Sequence, residues 1–455
     1  MTEGNPFRLI VLFSLPLIAG SALQQVYNLA DSIIVGNFVG DTAFVAVGVA
    51  FPVIFLMSSL FMGLGTGAMV MVSQFFGADE FKNLQNTIDT IYTALITGGI
   101  PITILSIVFA NPILNLLSVP AEARDEAYIY MIIVLVGLLG SLGYNANTGI
   151  LQGLGDSKTP LILLAVACVI DNVLNLLFVL VFHMGVAGAA LSTIIGQCVS
   201  WVFGIFFINK KYPMIRIKPF SFHFDRKIFS RVVSLGLPAG IQFALFSIAT
   251  ILLTRLVNVQ GASFSAGFNS ANKLDTFAFL PIQSFSTATT AYTGQNIGAG
   301  KIDRVKKGMK ATLILSIITA LLSLFIIPAG PTLLRLFIPG QQAIIDTGMV
   351  YLKSIMPFYT LLAVLFIVNA VIRGSGESLI PMLSVLIGVC IARLPAAYLL
   401  EYFFGAEKIF FSYPIGWAVS IAIILPYYFS GRWKTKGITK ISEAMQNADL
   451  GDPIV

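Results

Sequence analysis

The sequence predicts an all-α polytopic membrane protein, with 12 transmembrane helices in two pseudo-symmetric six-helix bundles. The first observation is composition: hydrophobic residues make up 57% of the 455 residues, charged residues make up 11%, and the mean hydropathy is +0.89. Soluble domains carry about 25% charged residues, so most of this surface must face lipid. The second observation is a series of bilayer-length apolar segments, and the third is an internal duplication.

Twelve apolar segments reach the roughly 20 residues that a transmembrane helix needs. They are residues 9–38, 44–74, 84–110, 126–151, 160–182, 186–209, 229–258, 264–294, 307–328, 346–372, 379–402 and 409–430. Several exceed roughly 25 residues, and we expect these helices to be tilted or kinked. Pro16, Pro52, Pro281 and Pro357 are the candidate kink positions, because proline removes a hydrogen bond inside a helix.

The basic residues predict the orientation in the membrane. If both termini are cytoplasmic, the inner loops hold 20 of the 27 Lys and Arg residues, and the outer loops hold four. Cytoplasmic loops carry such an excess. We therefore expect an integral protein of the plasma (cytoplasmic) membrane with both termini inside. The net charge of +6 comes from these loops and does not indicate nucleic-acid binding.

The chain repeats itself at an offset near 221 residues. ILQGLGDSKTP at 150–160 matches VIRGSGESLIP at 371–381, and two further pairs of segments match in the same order. Those pairs are residues 74–82 with 295–303 and residues 14–20 with 235–241. Six spans in each half insert both halves the same way up, as parallel repeats. Such a pair predicts alternating access, although a channel or a membrane enzyme could also arise by duplication.

The repeat and the loops predict the domain boundaries. We expect an N-terminal six-helix lobe at 1–209, a basic cytoplasmic linker at 210–228, a C-terminal six-helix lobe at 229–430 and a cytoplasmic tail at 431–455.

Several classes of chemistry have no support in the sequence. There is no phosphate-binding loop, nucleophile elbow or zinc-ligand spacing, and no convincing signal-peptide cleavage site. The three cysteines lie in apolar stretches and are read as small core residues. We therefore predict neither an enzyme nor an organic cofactor. We expect a monomer, whose partners are a small-molecule substrate and membrane lipid.

Several motifs follow one another along the chain, including QQVYNLADSIIVG at 24–36, DNVLN at 171–175, GVAGAALSTIIGQ at 185–197 and ATTAYTGQNIGAGK at 288–301. Together they resemble the motifs of MATE (multidrug and toxic compound extrusion) transporters over residues 1–440, most closely those of the prokaryotic DinF-like branch. The resemblance implies a V-shaped pair of six-helix bundles. It also implies export of amphipathic, often cationic compounds, driven by proton or sodium influx.

Four polar residues of the N-terminal half are the candidate cation-coupling residues. Asp31 and Asp171 are carboxylates within apolar spans, where ionisable groups are costly and are usually functional. Asp31 lies roughly 30 Å beyond the inner end of its span, so it could instead face outer water. Asn175 shares a helix face with Asp171, although such residues also serve helix packing. The resemblance implies that Thr193 accompanies these residues and that Asp31 is a central coupling residue. In the fifth helix, the family more often has Asn before the acid, whereas here Asn175 follows Asp171.

The same reasoning gives a substrate cavity and a secondary site. Gln24 and Tyr27 precede Asp31 on one helix, and we expect them, with the Pro16 kink, to line the substrate cavity. The alternative is that they serve only to pack this helix against its neighbours. In the C-terminal half, Lys273, Asp275 and Arg393 are secondary candidates. An ion pair between Asp275 and Arg393 is one hypothesis, and the sequence favours a structural pair and a functional pair equally.

These residues predict how a coupling ion could act. Two buried carboxylates close together cannot both be ionised cheaply, so Asp31 and Asp171 would take up a proton from outside. Sodium is the alternative, because carboxylate, amide and hydroxyl oxygens suit hard cations; Asp31, Asp171, Asn175 and Thr193 would then be its ligands. The competing functions are a lipid-linked saccharide flippase of the same superfamily and an intramembrane enzyme or scaffold.

Overall fold

The computed structural model describes residues 1–38, 41–116, 121–219, 221–337 and 342–439, and within these ranges it is built from helices without a strand. The α-helices are α1 Pro6–Phe38, α2 Asp41–Gly77, α3 Phe81–Leu116, α4 Ala121–Val136, α5 Leu138–Gly153, α6 Lys158–Leu176, α7 Gly185–Lys211, α8 Arg226–Val259, α9 Ala262–Gly298, α10 Ile302–Ser323, α11 Ile326–Phe337, α12 Gln342–Ile355, α13 Tyr359–Gly374, α14 Leu379–Val385, α15 Leu394–Phe404 and α16 Ser412–Phe429. Two π-helical stretches, Leu177–Val181 and Leu386–Arg393, extend α6 and join α14 to α15.

The lengths and compositions of these helices suit a bilayer. Within the described ranges, nine helical spans are long and apolar enough to cross a membrane, with α12 and α13 counted as one span and α14 and α15 as another. The number is up to eleven if two bent pairs each count as one span. The bends are 47° between α4 and α5 and 53° between α10 and α11. α9 spans 37 residues but is rich in Ser, Thr and Asn, so it fails the same test of hydropathy.

The candidate kink prolines differ in their positions relative to the helices. Pro357 lies in a short 3-10 turn, Met356–Phe358, that separates α12 from α13, so this break is confirmed. Pro16 and Pro281 lie inside continuous helices, α1 and α9. The side chain of Pro52 lies outside the part of the chain that is described.

The chain forms two compact units. One contains residues 19–240, and the other contains residues 1–18 together with 241–455. The boundaries fall inside α1 and α8, whereas the lobes expected from the sequence were divided between helices; those lobe boundaries stay a prediction.

Glycines explain why the first half of α8 belongs to the unit of residues 19–240. Gly63 and Gly67 on α2, and Gly236 and Gly240 on α8, share the small-xxx-small spacing that lets two membrane helices approach closely. A Cβ added at Gly63 would lie 2.2 Å from the backbone nitrogen of Gly240, and one at Gly67 would lie 2.5 Å from the carbonyl oxygen of Val232. Larger side chains would force these two helices apart.

The duplicated loop motif is built in a similar way in both units. Asp156 of the first copy accepts hydrogen bonds from the backbone nitrogens of Lys158 and Thr159, at 3.1 and 3.0 Å, and so caps the start of α6. It also pairs with Lys211 at 2.7 Å. Burial alone would raise the pKa of Asp156, but hydrogen bonds from Lys211 and Thr159 outweigh it and hold that pKa below its usual range.

The second copy has an acid with the same two functions. Glu377 accepts a hydrogen bond from the backbone nitrogen of Leu379 at 3.0 Å and pairs with Lys436 at 3.3 Å. In each half the acid of the loop therefore joins the helix that follows it to the last basic segment of that half.

Candidate ion and substrate site

Asp171 is the centre of a polar cluster inside the unit of residues 19–240. Its side chain lies on α6 and is 3% exposed. Its Oδ2 atom accepts a hydrogen bond from the hydroxyl of Tyr27 on α1, and the hydroxyl of Thr193 on α7 lies 3.4 Å away. The two hydroxyl oxygens of Tyr27 and Thr193 are 3.5 Å apart, so three side chains from three helices meet at one carboxylate oxygen.

Close packing of α6 against α7 produces this meeting. A Cβ added at Gly196 would lie 2.9 Å from the carbonyl oxygen of Ala167 and 3.3 Å from the Cβ of Asp171. Glycine at 196 therefore lets α7 approach the turn of α6 that carries the acid. Thr193 also donates to the carbonyl oxygen of Ala189 at 3.2 Å, which is the usual bond of a threonine inside a helix.

The two oxygens of the Asp171 carboxylate differ in their hydrogen bonding. Asp171 Oδ1 is buried and has no hydrogen-bond partner among residues 1–38, 41–116, 121–219, 221–337 and 342–439. Asn175, one turn later on α6, is 1% exposed, and α6 passes into a π-helix two residues beyond it. Such π-helical turns often occur at functional sites, where they displace side chains from the ordinary helical positions.

A cavity of about 60 Å³ opens beside this cluster. Four of the residues singled out from the sequence contribute to its lining: Gln24, Tyr27, Asp171 and Thr193. Its full lining is Gln24, Tyr27, Tyr144, Leu164, Ala167, Cys168, Asp171, Thr193, Gly196 and Gln197, which contains neither Lys nor Arg. Pro16 does not line it.

Sequence reasoning missed two of the polar residues in this lining, Tyr144 and Gln197. Gln197 lies four residues after Thr193 and so shares its helix face, which was a usable signal. Tyr144 on α5 had no such signal, because α5 carries no acid whose neighbours could be read. The side chain of Asp31 lies outside the described residues, although the backbone there belongs to α1.

Two of the three secondary candidates of the C-terminal half, Asp275 and Arg393, lie in a separate aromatic cluster. Asp275 on α9 accepts hydrogen bonds from the hydroxyls of Tyr359 and Tyr351, the latter at 3.1 Å. Arg393, at the end of the second π-helix, is 4% exposed, and its guanidinium carbon lies 3.5 Å from the ring centroid of Tyr413. The aromatic ring, rather than a carboxylate, is thus the contact of this buried cation.

A direct Asp275–Arg393 ion pair is not formed in the described part of the chain. Two nitrogens of the guanidinium of Arg393, Nε and Nη2, are buried there without a hydrogen-bond partner. Lys273, two residues before Asp275, is exposed, as expected for neighbours on different faces of α9.

Helices of bilayer length, a duplicated chain and a carboxylate beside an interior cavity define a membrane transporter built from two repeats. A family model described as MatE matches residues 16–177 and again residues 238–399, so it matches both repeats. The chain therefore belongs to the MatE family, whose members are transporters and not enzymes. The duplication expected from the sequence is confirmed by this double match.

Individual relatives and structures agree with the family. The chain is 33% identical to "Probable multidrug resistance protein YpnP" of Bacillus subtilis, over 95% of this chain and 97% of the relative. It is 26% identical to "Probable multidrug resistance protein NorM" of Thermotoga maritima, over 94% and 93%. A solved structure, "Outward-facing conformation of a multidrug resistance MATE family transporter of the MOP superfamily", matches with a TM-score of 0.88 at 24% identity, over 96% and 98% of the two chains, which confirms the fold class.

Proposed function

We propose that this protein is a secondary active exporter of amphipathic, cationic compounds, coupled to the influx of protons or sodium ions by alternating access. The observation that carries the proposal is the buried carboxylate of Asp171 at a cavity whose lining has no basic residue. A carboxylate without a cation in such a place is costly, so a cation of some kind must neutralise it. The two relatives named as multidrug resistance proteins support the same class of substrate.

The geometry supports a competition between the coupling ion and the substrate. Tyr27 and Thr193 approach Oδ2, which leaves Oδ1 of Asp171 as the atom that a proton or a sodium ion would take. The cavity of about 60 Å³ is smaller than an amphipathic compound, so only the cationic group of a substrate would reach Asp171 and take the place of that ion. One cation, either the coupling ion or the substrate, then neutralises the carboxylate in each state, so the two exchange rather than bind together.

Asp31 and Asn175 complete the proposed coupling set. Asp31 lies on the same helix as Tyr27, one turn further on, and Asn175 lies one turn after Asp171. Oxygen ligands from these residues and Thr193 suit sodium, whereas the two acids alone are sufficient for protons. A flippase of lipid-linked saccharides would require basic groups for a pyrophosphate, and the lining of this cavity offers none.

The driving force is adequate for useful export. One elementary charge crossing about 100 mV is worth about 2.3 kcal/mol, which supports roughly a 50-fold gradient of a neutral compound. A monovalent cation exchanged for one proton gains nothing from the voltage, so the pH difference alone would drive it.

Efflux from proteoliposomes tests the proposal. A fluorescent lipophilic cation is loaded, and an inward pH gradient and an inward sodium gradient are imposed separately. We expect efflux by the wild-type protein with one of the two gradients. Asp31→Asn and Asp171→Asn should give no efflux with either gradient. Asp156→Asn, which makes the same change at an acid outside the spans, is the control and should transport normally. Full efflux by Asp171→Asn would remove this carboxylate from the mechanism.

A further inference from the structure

The segment between α7 and α8 is fixed along the unit of residues 19–240; we call its described residues, 212–219 and 221–225, the strap. The side chain of Gln85 on α3 makes two hydrogen bonds to the backbone of Arg216, donating at 2.8 Å and accepting at 2.7 Å. Asn209 makes the same pair of bonds to the backbone of Ile217, at 3.0 and 2.6 Å. A linker needs no such clamps to connect two helices.

The far end of the strap is fixed to α3 as well. Thr93 donates to the carbonyl oxygen of His223 at 2.9 Å, and the backbone nitrogen of Asp225 donates to the hydroxyl of Thr90 at 3.2 Å. Asp225 then caps α8 by accepting from the backbone nitrogens of Lys227 and Ile228, at 2.8 and 3.1 Å. Side-chain hydrogen bonds thus hold the strap near both of its ends.

The strap has one face toward the protein and one face away from it. Ile215 and Ile217 are buried, at 2% and 3% exposure, whereas Met214, Arg216 and Lys218 between and beside them are exposed. This alternation is that of an extended chain lying on a surface. Its outer face therefore combines an apolar side chain with two cations.

Two aromatic side chains continue this outer face. Phe222 is 60% exposed and Phe224 is 47% exposed, although both lie outside the candidate membrane spans, which end at Lys211 and resume at Arg226. Phe222 has a φ of 50°, a left-handed conformation that is strained for a bulky residue. Lipid around the spans does not explain why these rings are exposed here.

An apolar groove of about 150 Å³ adjoins the strap. It follows α3 from Thr90 to Ile102, which is about 18 Å of helix. Small residues form much of its wall, and Phe229 and Val232 of α8 line it too. The ring of Phe229 lies 5.1 Å from that of Phe224, so the groove and the outer face of the strap are continuous.

We propose that the strap and the groove together bind one anionic phospholipid. The headgroup phosphate lies against Arg216 and Lys218, with the exposed cations Arg226 and Lys227 at the start of α8 close by in sequence. One acyl chain occupies the groove, and Phe222 and Phe224 lie at the level of the headgroups, where aromatic rings are favoured. Basic residues beside a membrane attract anionic lipids, and the apolar lining gives an acyl chain a place that water would not take.

Native mass spectrometry of the delipidated protein tests this site, with dioleoylphosphatidylglycerol and dioleoylphosphatidylcholine as probes. We expect one phosphatidylglycerol to bind more tightly than phosphatidylcholine. Arg216→Gln combined with Lys218→Gln should weaken phosphatidylglycerol about 30-fold at low ionic strength and leave phosphatidylcholine unchanged. The control is Lys307→Gln with Lys310→Gln, which removes the same charge from exposed residues of α10.

The groove is tested with Gly98→Leu, since a Cβ there meets no atom within 4 Å and a leucine would fill the space. Gly48→Leu, where a Cβ also meets no atom within 4 Å, is the matched control on α2. Weaker phosphatidylglycerol binding by Gly98→Leu alone supports the site. Equal binding of the two lipids by the wild type, a charge variant that behaves like its control, or displacement of the lipid by tetraphenylphosphonium would overturn it.

Discussion

The hydroxyl of Tyr27 should matter much more to transport than the hydroxyl of Thr193, although both lie at the same oxygen of Asp171. Tyr27 makes the close hydrogen bond to Oδ2, whereas Thr193 is 3.4 Å away and also bonds to the carbonyl oxygen of Ala189. A hydrogen bond to a charged group contributes about 1.5–3 kcal/mol, which is about 10- to 150-fold in a rate or an affinity. A contact near 3.4 Å is weak, and its loss should cost about threefold or less.

Initial rates of gradient-driven efflux measure this difference. Tyr27→Phe removes one oxygen and should lower the rate about tenfold or more at subsaturating substrate, while Thr193→Val should retain at least about a third of it. Tyr398→Phe makes the same change at a side chain that is 47% exposed in the other unit, and it should have no effect. If Thr193→Val were as impaired as Tyr27→Phe, or if Tyr27→Phe transported normally, the assignment of Oδ2 contacts to coupling would be wrong.

Three further predictions concern stability in detergent, measured as melting curves. The pKa of Asp156 is held low, so its contribution to the free energy of unfolding is complete above its ordinary pKa of about 4 and is lost as pH falls through the lower folded value. Near neutral pH, Asp156→Ala should lower that free energy by about 1–3 kcal/mol. Asp156→Asn keeps an acceptor for the helix cap and should lower it less. Arg393→Lys should cost about 1–2 kcal/mol because only a planar guanidinium stacks on Tyr413, whereas Tyr413→Phe keeps the ring and should cost less; equal losses would contradict this. Gly63→Ala should cost more than about 2 kcal/mol, since its Cβ would overlap α8, and Gly48→Ala should be neutral.

The class of the fold was predictable because its main signals can be read directly from the sequence. Bilayer-length apolar segments, an excess of basic loops and the repeated GDS and GES motifs each depend on neighbouring residues only. Helix interruptions were less predictable, because a proline inside a membrane helix can be accommodated without a break, as Pro16 and Pro281 are. The division of α1 and α8 between two units depends on contacts between helices, such as those of Gly63 with Gly240, and no single segment reveals it.

The candidate site was predictable to the extent that it contains an acid. A carboxylate inside an apolar span identified Asp171, and helical spacing then identified Asn175, whereas Thr193 depended on the family resemblance. Tyr144 and Gln197 line the same cavity but are ordinary polar residues of helices, so only their positions in three dimensions show their role. The C-terminal cluster shows the converse error: opposite charges suggested a pair, but tyrosine hydroxyls bind Asp275 and an aromatic ring covers Arg393.

Proton release on binding tests the exchange at Asp171 most directly. Purified protein in weakly buffered detergent solution, first without sodium, is mixed with a saturating lipophilic cation while the pH is recorded. A proton-coupled exporter should release close to one proton for each cation bound, and Asp171→Asn should release none. In a sodium-coupled exporter the same cation should instead displace bound ²²Na⁺. Binding of the cation with neither proton release nor sodium displacement would contradict exchange at this carboxylate.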